Sequence, residues 1–384
     1  MNNNWGSSSI NFNVSNLDIE FLKKEVGQRF PFYDMKTNIN TVVFFIRFDE
    51  KSLEEKFNSL RKALSEKDYI PMLRYDKGEH IIYIIQKSKR KEKPIWINIA
   101  LLFATIITTV LTGSILYAGF FDMWSMPDIT EVFAVENLLN GTMLFAFPLM
   151  SILFVHEMGH YYISKKHGIT TSLPFFLPIP PIVPGFNIGT FGALISSRDP
   201  MPDKKALFDV GISGPIAGFC IAIPVIIIGL FSSNLIYLTD ISSGQVFFGD
   251  SLLTASLSSI IFNVPFISII NKSVEIDFNL TFFAGWVGLL ITSINLLPAG
   301  QLDGGHIFRA VFGEKQKYIG WIVVFLMVFT GWFLFAMIIV FMLGTSHPPP
   351  LNDDTKLDTQ RKLLFPIALI ILIICYIPYP IYIV

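Results

Sequence analysis

Cysteine and charge are both scarce in this chain of 384 residues. There are two cysteines, Cys220 and Cys375, and each lies in an apolar stretch. Two cysteines so far apart exclude a disulfide framework and a cysteine-rich zinc ribbon. Charged residues make up 15% of the chain and the formal net charge is −1. Because nucleic-acid binding relies on an excess of basic residues, this balance gives no indication of a nucleic acid as partner.

Apolar residues are abundant instead, at 52% of the chain, and the mean hydropathy is positive. Both values are typical of an α-helical polytopic membrane protein. Apolar runs of about 20 residues, the length that a bilayer requires, predict about six transmembrane helices, near residues 96–120, 142–163, 206–232, 281–300, 319–343 and 363–383. We therefore expect residues 94–384 to form a transmembrane domain. The first thirty residues lack the apolar core of a signal peptide, so the first span also has to direct insertion.

The region before the first span, residues 1–93, predicts a small soluble α+β domain. Residues 41–48 are β-branched and aromatic and predict a strand, whereas residues 49–65 have helical spacing with Asp49 as the N-cap. Residues 71–75 and 80–87 predict a β-hairpin. No motif in this region carries chemistry, so we interpret it as a cytoplasmic appendage.

The basic residues predict the orientation of the spans, because loops rich in Lys and Arg stay in the cytoplasm. A basic run at 87–93 places the N-terminus there, whereas the mostly acidic loops 121–141 and 233–280 are external. Six spans then place both termini in the cytoplasm of a multi-pass protein of the cell membrane. The 344–362 loop disagrees, since its three basic residues fall on the predicted external side.

Two further segments do not fit a simple span. Residues 251–270 are apolar but broken by Asn263 and Pro265, and we interpret them as an interfacial or re-entrant segment on the external side. Residues 173–186 are too rich in proline for a helix, and residues 187–197 alternate well enough to predict a strand. This membrane-associated β and proline-rich stretch either lines a cavity, where a strand edge could receive an extended substrate, or skims the interface as a loop.

Three ionisable residues lie within five positions at the end of one apolar run: His156, Glu157 and His160. Ionisable side chains at membrane depth are expensive, so such a cluster needs a function. On a helix the two histidines lie one turn apart on the same face, where both imidazoles can bind one Zn²⁺. The glutamate beside the first histidine can then act as general base on a water activated by the metal.

A catalytic zinc usually has three protein ligands and one open position, so a third ligand is needed. The fourth predicted span ends in a sequence that contains Asp303 and His306, and it reaches the same membrane face as the two histidines. We prefer Asp303, because the Gly304-Gly305 pair predicts a tight turn that points the carboxylate back and lets His306 diverge. His306 stays the alternative.

Asn295 and Pro298 interrupt the same span. Pro298 removes a backbone hydrogen bond and unwinds the helix, so freed backbone and the Asn295 amide can line a cavity. The amide could stabilise an oxyanion or hold the substrate backbone. The alternative is a simple kink, with Asn295 bonded to a neighbouring helix.

Other polar and small residues carry weaker signals. The small residues between Gly211 and Gly218 predict close packing of the third span and no catalytic role. His80, His167 and His347 lie in predicted loops, where we expect them to be solvated.

The two motifs, in this order and in apolar spans, resemble the site-2 protease family of intramembrane zinc metalloproteases. They are His156-Glu157-Met158-Gly159-His160, and Asn295-Leu-Leu-Pro298 followed by Leu302-Asp303-Gly304. The longer string from Asn295 to Gly305 is similar to the branch with archaeal, cyanobacterial and plastid members. The resemblance implies His156, His160 and Asp303 as zinc ligands, Glu157 as base, and Asn295 near the scissile peptide. Residues 1–93 fall outside it.

The sequence therefore predicts an intramembrane zinc endopeptidase that cleaves transmembrane segments of membrane-anchored proteins, with Zn²⁺ as cofactor. Its partners would be transmembrane protein substrates and the lipid bilayer, and the sequence gives no oligomeric state. The alternatives are a divalent-metal transporter and a catalytically silent membrane scaffold. A transporter needs access from both faces and often has internal repeats, whereas the polar groups here gather at one face and no repeat is visible.

Overall fold

The computed structural model of the chain describes residues 17–47, 52–76, 78–87, 94–119, 128–181, 187–197, 199–237, 246–277 and 279–383. The chain divides into two compact units. One unit comprises residues 1–92 together with residues 350–355, and the other comprises the remainder. A division at residue 93 alone therefore omits a short segment that joins the N-terminal unit from a distant part of the sequence.

The described residues of the N-terminal unit form an antiparallel sheet of four strands with two helices. Its elements are α1 (Ile19–Gly27), β1 (Phe32–Asn38), β2 (Thr41–Ile46), α2 (Leu53–Ser65), β3 (Tyr69–Asp76) and β4 (Glu79–Gln86). The strand order is β1-β2-β4-β3. Buried and half-exposed residues alternate along β2, so one face of the sheet contributes to the core that α1 and α2 also form.

Helix α2 and the β3–β4 hairpin follow the sequence predictions, with one difference at the start of the helix. The helix begins at Leu53 with Ser52 as its N-cap, whereas Asp49, the predicted N-cap, lies outside the described residues. Helix α1 and strand β1 were not predicted. Strand β1 is an edge strand whose side chains mostly face solvent, so it lacks the apolar alternation that marks a strand.

The second unit is mostly helical. Its helices are α3 (Ile95–Tyr117), α4 (Ile129–Val132), α5 (Val135–Gly141), α6 (Phe147–Lys166), α7 (Lys204–Phe231), α8 (Leu252–Phe262), α9 (Phe266–Ile270), α10 (Leu280–Asn295), α11 (Asp303–Phe312), α12 (Gln316–Val328), α13 (Phe333–Ile338) and α14 (Thr359–Cys375). A π-helical turn, Thr142–Ala146, joins α5 and α6 into one long helix. In the described part of the chain, three helices are long and apolar enough to cross a membrane: α3, the combined α5–α6 helix, and α7.

Short antiparallel strand pairs accompany these helices. β5 (Phe175–Pro178) pairs with β6 (Thr190–Leu194), β7 (Asn234–Tyr237) with β9 (Val274–Asp277), and β8 (Val246–Phe248) with β10 (Ile381–Ile383). Strand β6 confirms the strand predicted within residues 187–197. Residues 182–186 of the proline-rich stretch lie outside the described residues.

Helix α10 is buried along most of its length but has only 16 residues. At about 1.5 Å per residue it is shorter than the roughly 30 Å core of a bilayer. It ends at Asn295 and not at residue 300, because Pro298 cannot supply the N–H that another helical turn needs. An irregular segment, residues 296–302, then leads into α11.

The predicted fifth span, 319–343, is wrong, because its two ends meet. The side-chain amide of Gln316, at the start of α12, donates to the carbonyl of Thr345 over 3.0 Å. The segment is therefore a helical hairpin. Helix α12 forms its first arm, a turn around Gly331 reverses the chain, and α13 with its π-helical end, Ile339–Leu343, forms the second arm, which leads back to the level of Gln316. A hydropathy count cannot separate such a hairpin from a single span of similar length.

The pairing of β10 with β8 contradicts a second part of the predicted topology. It places residues 381–383 beside the 233–280 loop, so that loop cannot be external while the C-terminus is cytoplasmic. At the other end of α14, Arg361 donates to Asp209 over 2.8 Å, and Asp209 also contacts His167. Arg361 therefore lies on the face where α6 ends and α7 begins, and the basic 344–362 loop no longer disagrees with the charge rule.

Single cysteines at positions 315 and 346 test the hairpin. Both positions are exposed, and the hairpin requires that a membrane-impermeant maleimide reaches both from the same side of the membrane. Cys220, which is exposed, is first replaced by serine. Labelling of the two positions from opposite sides would restore a crossing between them.

Candidate metal centre

Helix α6 presents His156 and His160 on one face, one turn apart. Both imidazoles are buried, and their Nε2 atoms lie 3.2 Å apart. The apolar run that precedes them forms the helix that the sequence predicts. Their spacing brings two nitrogen donors to one point, as a shared metal requires.

Asp303 reaches the same point from α11. Its Oδ2 lies 3.3 Å from His156 Nε2 and 3.2 Å from His160 Nε2. Among the described residues, these three form the only group of three or more His, Cys, Asp or Glu side chains close enough to hold a metal ion. The structure thus brings Asp303, and not His306, to the two histidines.

The three donor atoms fit a tetrahedral zinc ion. Zinc binds nitrogen and carboxylate oxygen at about 2.0–2.1 Å, so two ligands of a tetrahedral site lie roughly 3.3–3.4 Å apart. The three donor separations here are 3.2, 3.2 and 3.3 Å. Two imidazoles and one carboxylate are also a ligand set of hydrolytic zinc sites, which leave the fourth position open.

Neighbouring polar groups orient the cluster. His160 Nδ1 lies 2.8 Å from the carbonyl of Val210 on α7, so its N–H donates there and Nε2 keeps its lone pair for a metal. The Asn295 amide lies 3.4 Å from His156 Nε2. The side-chain amide at the end of α10 therefore contacts a residue of a neighbouring helix, as the alternative interpretation of Asn295 predicts.

Glu157 follows the first histidine in the motif and is buried, with 8% of its surface exposed. A carboxylate without a metal or a basic partner is costly at such a position. It interacts electrostatically with His160 and Asp303, so it lies near the donor cluster, and its role as general base stays a prediction.

Small residues of α7 make room for the imidazoles, a role that the sequence analysis did not assign. A Cβ on Gly214 would overlap the His160 ring, and one on Gly218 would lie 3.0 Å from His156 Nδ1. On Gly211 it would lie 2.7 Å from the Cβ of His306. The spacing of three and four residues places all three glycines on the face that meets α6 and α11.

Gly304 and Gly305 have a different role from the predicted one. They lie in the first turn of α11 and do not form a tight turn. A Cβ on Gly304 would overlap the carbonyl of Leu296, and one on Gly305 would overlap the carbonyl of Gly300. The pair lets α11 start directly against the irregular segment, and this contact sets the position of Asp303.

The loop histidines are not simply solvated, contrary to the prediction. His347 packs against His306 of α11, with 4.3 Å between the ring centroids, and Nδ1 of His306 contacts the Leu302 carbonyl. His167 pairs with Asp209 over 2.8 Å. His80 pairs with Asp354 over 2.8 Å within the N-terminal unit.

The family of the chain follows from comparison with known proteins. A model described as Peptidase family M50 matches residues 144–338, which is half of the chain and includes both motifs of the cluster. The chain belongs to this family of membrane-embedded proteases, the site-2 protease family. No solved structure matches the chain.

Curated relatives carry names of the same kind. The chain is 28% identical over 251 residues to the probable zinc metalloprotease EGY1, chloroplastic, of Arabidopsis thaliana, which covers 62% of this chain and 43% of that protein. It is 27% identical over 263 residues to the probable zinc metalloprotease EGY2, chloroplastic, of the same plant, with 66% and 45% covered. The chain therefore spans less than half the length of these relatives.

Zinc content tests the donor set. The parent chain should bind about one Zn²⁺, and His156→Ala or His160→Ala should lose most of it, because each removes one of three ligands. Asp303→Ala should weaken zinc binding more than His306→Ala, since only Asp303 lies within reach. Metal analysis of the purified variants measures this, and the reverse order of the last two would assign the third donor to His306.

Gly214→Ala tests the space that α7 leaves for His160. The added methyl has to displace the imidazole or the helix, which costs about 1–3 kcal/mol and corresponds to a loss of zinc affinity of roughly fivefold to 150-fold. Chelator competition measures the affinity. Ile228→Ala, an exposed position on the same helix, is the control and should leave it unchanged. Equal affinities for both variants would contradict the packing described.

Proposed function

We propose that the chain is an intramembrane zinc endopeptidase that cleaves transmembrane segments of membrane-anchored proteins. The observation that carries this proposal is the group of two buried histidines, His156 and His160, and the half-buried Asp303, which lies between apolar helices with donor separations that suit zinc. Membership of peptidase family M50 supports it.

The proposed roles follow from position. His156, His160 and Asp303 hold the zinc, which when bound polarises a peptide carbonyl and acidifies water. Glu157 accepts the proton from that water and passes it to the leaving amine. The Asn295 amide, 3.4 Å from His156 Nε2, donates a hydrogen bond to the substrate backbone and holds the scissile peptide in place.

A substrate helix has to unwind before its peptide bonds can react, because a helix uses its own N–H and C=O groups. The β5–β6 pair offers an extended template for the unwound segment. Its residues Phe191 and Leu194 are exposed, at 78% and 63%, and suit contact with an apolar chain or with lipid. We propose that substrates are transmembrane proteins that enter from the bilayer and add a strand at this pair.

The orientation that fits the charges and the contacts has five crossings in the cell membrane. The N-terminal unit lies in the cytoplasm, because residues 87–93 are basic. The hairpin of α12 and α13 enters and leaves on that side, and α14 ends on the other. The zinc-binding group then lies toward the cytoplasmic ends of α6 and α10.

A divalent-metal transporter is the competing function, since such proteins also place His and Asp on membrane helices. The donor cluster lies at one depth, and in the described residues no second group of ligands continues a path toward the other face. A single group of metal ligands favours a fixed metal cofactor over a transported ion.

Glu157→Gln separates metal binding from catalysis. The glutamine has nearly the same shape and cannot accept the proton, so we expect zinc content to stay at the parental level while cleavage disappears. Proteomic comparison of membrane-protein fragments in cells that carry the parent or the variant measures cleavage, and metal analysis of the same proteins measures zinc. Fragments that persist in the variant would remove Glu157 from the reaction, and unchanged fragments in His156→Ala as well would reject the protease.

A further inference from the structure

Residues 344–355, between the hairpin and α14, form a segment that we call the strap. Its first part belongs to the membrane unit and its last part, residues 350–355, belongs to the N-terminal unit. Each end is held by specific contacts within its own unit.

The far end of the strap adds to the edge of β3. The N–H of Leu73 donates to the carbonyl of Leu351 over 2.8 Å, and Asn352 bridges Leu73 in parallel. Arg74 donates to the same Leu351 carbonyl over 3.0 Å. The Leu351 side chain is 5% exposed and lies in the core of the N-terminal unit. The strap therefore fills one place in that core and covers an open sheet edge.

The near end of the strap is fastened to the segment that leads to Asp303. Gln316 is buried, and its amide donates to the carbonyls of both Pro298 and Thr345, over 3.0 Å each. Its side-chain oxygen accepts from the N–H of His347 over 3.0 Å. Gly344 also lies so close to Gly300 that a Cβ on Gly300 would overlap its carbonyl. One side chain thus joins the strap to the irregular segment.

Three consecutive prolines, Pro348 to Pro350, connect the two ends. Proline fixes φ near −65°, and short proline runs form a stiff extended helix of about 3.1 Å per residue. Such a connection passes on a displacement, whereas a glycine-rich one would absorb it.

We propose that Gln316 and the strap position the catalytic segment 296–303, and that the N-terminal unit sets this position by holding residues 351–354. The N-terminal unit is then more than an appendage. It acts through the strap on the backbone that carries Asp303. The expected effect of the strap on cleavage rests on the proposed function. The expected effect of the strap on the position of residues 296–303 does not depend on that function.

A six-residue Gly-Ser insertion between Pro349 and Pro350 tests the coupling in the full chain. It changes no residue that makes the contacts at either end, and it interrupts only the stiff connection between them. Amide hydrogen exchange of residues 299–303 should become about threefold to tenfold faster, which corresponds to the loss of one hydrogen bond. Loss of zinc to a chelator should accelerate in the same range.

The matched control is the same insertion after Lys91, in the other connection of the N-terminal unit, and it should leave both measurements unchanged. Exchange at Leu73 shows whether the strap is still bound to β3. Gln316→Ala should accelerate exchange at 299–303 as the strap insertion does, and Pro348→Gly with Pro349→Gly should do so to a smaller extent.

The proposal is overturned if the strap insertion leaves exchange at 299–303 at the parental rate, or if the insertion after Lys91 accelerates exchange there as much as the strap insertion does. Cleavage is scored separately with the Glu157→Gln protein as blank. Exchange could be faster in the strap variant while the parent and the Glu157→Gln protein give identical fragments. That result would support the positioning role of the strap and reject the proposed protease activity.

Discussion

The placement of two buried imidazoles and a half-buried carboxylate among apolar helices is the constraint on which this structure depends. Transfer of each group alone from water into apolar surroundings would cost several kcal/mol of free energy. The cost is reduced because the donor atoms of His156, His160 and Asp303 lie close together. The Val210 carbonyl accepts a hydrogen bond from the Nδ1–H of His160. Three helices, α6, α7 and α11, therefore have to meet at one point.

The meeting of these helices is possible because their backbones approach closely. Glycines on α7 face the two histidines, and Gly304 and Gly305 let α11 begin against the segment that precedes it. That segment is irregular backbone among membrane helices, where unpaired carbonyls are costly. The Gln316 amide satisfies the carbonyl of Pro298, so the break after Asn295 is stabilised by a residue of the following hairpin.

Local signals in the sequence were sufficient for the histidine pair and for the end of α10, because helical periodicity and proline chemistry act within a few residues. Asp303 was predicted to lie near the two histidines because its span ends at the same membrane face as theirs. The hairpin of α12 and α13 was missed, because hydropathy counts apolar residues and one turn at Gly331 hardly changes the count. The β8–β10 pair and the strap join residues more than a hundred positions apart, and no local pattern encodes such contacts. The glycines of α7 were recognised as packing residues, but the sequence could not show that their neighbours are the metal-binding imidazoles.

The place of Leu351 in the N-terminal core also has a consequence for the order in which the protein is made. Arg74 and Leu351, which are bonded in the finished unit, are 277 positions apart. At roughly 5–20 residues per second, a ribosome needs on the order of tens of seconds to make that length. During this time the β3 edge stands open and the core lacks one of its apolar side chains. The N-terminal unit, although synthesised first, is completed only after the helices with both metal-binding motifs have been made, so a truncated chain carries an unfinished N-terminal unit.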